Sequence, residues 1–172
     1  MFLNYLKNFL TKKIVTKSLS NVKHTVTNTN IKTVGIVLDE SYFTDKKALI
    51  DELLKNGIQE DNIKILIFKN KIKKNEIFDY PTFCYSDLSW IAKFNKEEIT
   101  NFIKQDFDIL LNYYDIEKVP LLVVSNLSKA NFKVGFSSID KRLNHFMINT
   151  NAENYKVFMN ELFKYLKILN KL

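Results

Sequence analysis

Residues 32–40, Lys-Thr-Val-Gly-Ile-Val-Leu-Asp-Glu, restrict the fold of this chain more than any other stretch. The run is short, apolar and β-branched at its centre, has no helical periodicity, and stops at two carboxylates. A strand covered on both faces reads this way, because it needs no polar residue until it surfaces at its carboxyl end. Comparable runs occupy 62–68, 82–85, 107–112, 132–136 and 145–149. Helical patterns separate them. Thr44 caps a segment that Gly57 stops, and Asn95 with Glu97 and Glu98 opens another. Pro120 starts a third, and apolar residues recur at helical spacing from Tyr155 to Leu169. Residues 86–90 read as a single helical turn that lays Trp90 over a sheet edge.

Alternation of apolar strands with helices predicts a three-layer, Rossmann-like α/β domain with a mainly parallel sheet of five to six strands. Right-handed crossovers give the order 3-2-1-4-5-6. The chain has 172 residues, enough for one domain that buries roughly 70% of its unfolded surface. Three glycines and two prolines are too few for the corners of an all-β sandwich. The expected organisation is a basic N-terminal amphipathic helix and linker over 1–30, then a single domain over 31–172.

In such a sheet a ligand sits where the strand order reverses, between the first and fourth strands. That crevice would be lined by Asp39, Glu40 and Ser41 on one side and by Asn112, Tyr113 and Asp115 on the other. Its chemistry is narrow. The loop after Leu38 has no glycine to bring backbone amides onto a pyrophosphate, and two carboxylates there repel one. No Walker pattern exists, and His24, His145 and Cys84 form no metal-ligand spacing. No nucleophile stands beside an evident base. No catalytic residue, metal or cofactor is assigned. Cys84, the single cysteine, reads as a buried thiol and fits a reducing compartment.

Charge supplies the other constraint. The formal net charge is +7, yet residues 1–32 hold six lysines and no Asp or Glu. The positive field therefore belongs to the N-terminal segment and the body is nearly neutral. Within it Phe2, Leu3, Leu6, Phe9 and Leu10, with Tyr5 at the margin, share one helical face, and Asn4, Lys7, Asn8 and Thr11 the other. Lys13 would return to the apolar face, so the helix is expected to end near Lys12. Ser18 to Asn30 reads as a linker. Such a helix can pack on its own domain or on a partner or second copy, lie on an anionic membrane, or bind RNA through Lys7, Lys12, Lys13 and Lys17. No run reaches the ~18 apolar residues of a spanning helix, and the N-terminus lacks the pattern of a signal peptide. The expectation is a cytoplasmic, non-catalytic binding or assembly protein, peripherally associated with a membrane, ribosome or acidic protein. The competing expectation is a small-ligand enzyme, or its remnant, using the crevice.

Leu38-Asp39, Asp87-Leu88-Ser89-Trp90, 107–110 and 127–135 together resemble a family of small Bacteroidetes proteins with a domain of unknown function. The resemblance covers most of the chain, implies a cytoplasmic bacterial protein, and brings no catalytic residue with it. Residues 107–136 are also similar to the acceptor-side domain of heptosyltransferase-like glycosyltransferases. The chain departs from them in having only one strand and one long helix after Gly135. That likeness implies the fold rather than the activity.

Overall fold

A computed structural model of the chain describes residues 2–19 and 30–172, with the side chains of Phe2, Leu3, Asn4, Tyr5 and Asn8 outside the description. Most of the expected linker, with Lys23 and His24, therefore lies outside the described residues. Six strands, β1 (Val34–Asp39), β2 (Ile63–Phe68), β3 (Thr82–Phe83), β4 (Ile109–Tyr113), β5 (Phe132–Phe136) and β6 (Phe146–Ile148), form one sheet. It is parallel throughout, in the order β3-β2-β1-β4-β5-β6. The helices are α1 (Phe2–Leu19), α2 (Lys46–Lys55), α3 (Glu97–Lys104), α4 (Val119–Leu127) and α5 (Tyr155–Ile168).

The side chains of β1 alternate between two cores. Ile36 and Leu38 join Leu49 and Leu53 of α2 and Phe158, Met159 and Leu162 of α5. Val37 joins Phe102 of α3, Leu121 and Val124 of α4, and Val15 of α1. All six residues of β1 are buried, which accounts for its unbroken apolar sequence. Gly35 is required by a close approach: a Cβ there would sit 2.8 Å from the Phe107 ring. At the amino end of the sheet, Asp108 Oδ2 accepts from the backbone amides of Lys32 and Thr33 and from Thr33 Oγ1, clamping β4 to β1.

Local departures from expectation have local causes. Asp45 rather than Thr44 caps α2, its carboxylate accepting from the Ala48 amide, and Gly57 ends that region at φ 89°. Trp90 stays half exposed, while Leu88 and Phe94 on either side of it form a backbone bridge and are themselves buried. The helical turn lies one residue earlier than expected, over Tyr85–Asp87. Helix α1 does not stop near Lys12. It continues to Leu19, since the stripe it buries is Thr11, Val15 and Leu19, and Lys13 therefore faces outward.

Lys133 of β5 provides a pH signature. Its ammonium donates to the Ser125 carbonyl at 2.7 Å, and burial pulls its pKa from 10.5 to about 8. Between these values the unfolded chain holds a proton that the folded one has released, so stability rises with pH. The trend reverses above the ordinary tyrosine range, where burial keeps Tyr113 and Tyr114 protonated in the fold while the unfolded chain ionises. The urea midpoint is thus expected to rise from about pH 7.5 to about pH 9.5, and Lys133→Met should flatten that rise.

Candidate docking face and the carboxyl edge of the sheet

Asp39 ends β1 at the point where the strand order reverses, and it is only 2% exposed. A buried carboxylate needs a counter-charge, and Lys118 supplies it. Its Nζ lies 2.6 Å from Asp39 Oδ2 as an ion pair, although that oxygen accepts no hydrogen bond of good geometry, and Lys118 itself is 8% exposed. The same ammonium donates to Ser41 Oγ and Asn70 Oδ1, both at 3.1 Å. The Tyr42 and Phe68 rings lie 4.7 and 5.1 Å from it. An ammonium has three protons; two go to Ser41 and Asn70, and the charge faces Asp39 as a close ion pair. Lys118 therefore ties the loops after β1 and β2 to the start of α4.

The six residues expected at the crevice thus go to different places. Asp39 and Ser41 meet through Lys118. Glu40 pairs with Lys46 at 2.5 Å and Lys69 at 3.3 Å; burial pushes its carboxyl up, but the two ammoniums outweigh that and hold it below the usual range. Asn112 is fully buried on the α4 side of the sheet, where it donates to Asn144 Oδ1 and accepts from Ser125 Oγ, each at 2.7 Å. Tyr113 points to the opposite face, and its hydroxyl donates to the Ala152 carbonyl at 2.6 Å. Asp115 accepts from the Ala152 amide at 2.9 Å. Among the described residues no three His, Cys, Asp or Glu side chains gather as a metal ion would need.

Sequence reasoning missed Lys118, Asn70 and Tyr42. A signal for Lys118 was present: the loop after β4 must pass beside the end of β1, so a lysine just before Pro120 can reach Asp39.

Helix α1 lies against α4. Its inner stripe is Thr11, Val15 and Leu19, and the Thr11 hydroxyl is buried without a hydrogen-bond partner. Lys12 pairs with Glu117 beside α4 at 2.8 Å, and Lys7 donates to the Tyr85 carbonyl at 3.2 Å. The outward side carries Leu6, Phe9, Leu10 and Ile14, with Phe9 57% exposed. Lys13 and Lys17 are exposed one and two turns along from Phe9 and Leu10. Of the expected apolar face, Leu6, Phe9 and Leu10 turn to solvent, and Phe2, Leu3 and Tyr5 lie outside the described side chains. No helix among the described residues is long and apolar enough to cross a membrane.

No curated protein and no solved structure matches the chain. Residues 7–169, from within α1 to the end of α5, match the family of unknown function DUF6913, and the chain belongs to that family.

Proposed function

We propose that the protein is a non-catalytic α/β binding module that docks peripherally on an anionic membrane surface through the outer side of α1. One observation carries this reading: α1 turns Leu6, Phe9, Leu10 and Ile14 outward, and its exposed charges are lysines in a segment free of Asp and Glu. A large apolar surface costs free energy in water and gains it at the headgroup–acyl boundary. Lysines beside it add roughly 1 kcal/mol each near an anionic leaflet. RNA fits less well, since phosphate contacts use only the lysines, and Phe9 alone among three aliphatic side chains makes no stacking platform. An acidic protein would leave the same side chains without a stated cover.

The test is co-sedimentation with vesicles. The protein is expected to pellet with phosphatidylglycerol-containing vesicles and to stay in solution with pure phosphatidylcholine. Phe9→Ser should weaken the partition on the order of tenfold, with the fold unchanged by circular dichroism. Lys13→Gln should weaken it less and reduce its salt dependence. Equal partition on neutral vesicles, none on anionic ones, or an unaltered Phe9→Ser variant overturns the membrane reading. Lysine-dependent binding to RNA without vesicle binding would replace it.

A further inference from the structure

Beside the Asp39–Lys118 pair, a cavity of about 480 Å³ opens between α1 and the carboxyl ends of β2 and β3. That volume lies within the range of small-molecule sites, and the carboxyl end of a parallel sheet is the usual place for one. We propose that this cavity binds a small molecule bearing a phosphate monoester.

The lining argues for an anion. Lys7 enters from α1, Lys71 from the loop after β2, and neither meets a carboxylate among the described residues. Asn70 and Ser86 add neutral polar groups. The Asn70 Oδ1 is occupied by Lys118, so what Asn70 can still offer is its Nδ2 donor. Burial pushes the Tyr85 phenol up, with Asp39 and Tyr42 adding to the effect, so its hydroxyl remains protonated and able to donate. Its ring is fixed edge-on against Phe68, 5.2 Å between centroids.

The nearby carboxylates are accounted for. Asp39 faces Lys118, while Asp87 accepts from the Cys84 amide at 2.8 Å and pairs with Lys96 at 3.1 Å. Two ammoniums from separate segments and several neutral donors suit a group with three acceptor oxygens better than a carboxylate with two. Ile72 and Cys84 give the apolar wall against which a carbon skeleton can rest.

This inference does not rest on the membrane reading, because the lining uses Lys7 and not the outward side chains of α1. Its test is calorimetric titration of the full chain with inorganic phosphate, glucose 6-phosphate and glucose, and separately with a short-chain phosphatidic acid below its micellar concentration. Lys71→Gln is the main variant, since Lys71 is exposed on a loop and has no part in the core. Lys7→Gln is the second.

Binding of glucose 6-phosphate but not glucose, weakened at least tenfold by Lys71→Gln, supports a soluble ligand. Binding of the phosphatidic acid alone, with the same dependence, supports a lipid headgroup as the source. Absence of binding to any of them, or affinity unaltered in both variants, overturns the proposal. Vesicle docking that Phe9→Ser abolishes could coexist with either result, so the two readings fail separately.

Discussion

Lys118→Met is expected to lower the free energy of unfolding by about 3–5 kcal/mol, because it leaves the Asp39 carboxylate buried with no opposing charge. Methionine keeps most of the volume and the contact with the Tyr42 and Phe68 rings, so the loss reports charge rather than packing. Ser41 and Asn70 lose their shared donor in the same step. Adding Asp39→Asn should recover much of the loss, since a neutral amide is far cheaper to bury than a lone carboxylate. Urea denaturation of both single variants and the double variant gives the coupling directly. A cost below about 1 kcal/mol for Lys118→Met would mean that the ammonium does not hold the loops together.

The second large effect is expected at Asn112. Tyr114, Ser125, Asn112 and Asn144 form a chain of hydrogen bonds beneath α4. Ser125 has one proton and gives it to Asn112 Oδ1, so the 2.8 Å contact with Tyr114 must have the tyrosine as donor. Asn112→Leu removes the middle of this chain and leaves Ser125 Oγ and Asn144 Oδ1 without that partner in a dry site. Asn144 Nδ2 already lacks a partner there. Orphaned buried groups cost about 1–3 kcal/mol each, so the variant should lose about 2–5 kcal/mol in a urea melt. Ser125→Ala should fall in the same range. Stability within about 0.5 kcal/mol of the parent protein would show that the network contributes little.

The fold could be read from 32–40 and its counterparts because a strand buried on both faces leaves a mark that no helix shares. The sheet order then followed from crossover handedness. The site was less legible, for two physical reasons. Side chains leave a strand alternately, so Asn112 and Tyr113 face opposite layers even though both stand beside the reversal of strand order. Carboxylates at a strand end are also matched by whichever cations the tertiary fold brings, and Lys118 lies far from Asp39 in sequence. Helix α1 shows a third limit. Its apolar stripe was visible, but a stripe does not say whether it turns inward, and here Thr11, Val15 and Leu19 took the inner position.

The two outermost strands differ from the inner ones in length. β3 has two residues and β6 three, against five or six in β1, β2, β4 and β5. A sheet margin with unpaired amides and carbonyls is a template onto which another chain can add, and brevity is one defence against such growth. The β-branched run of β1 is interior and paired on both sides, whereas β2 meets β3 only at Ile67 and Phe68 and leaves residues 63–66 without a strand on that side. Growth through the sheet is therefore blocked at β1 while the domain is folded, and becomes a hazard when the domain opens and frees that run.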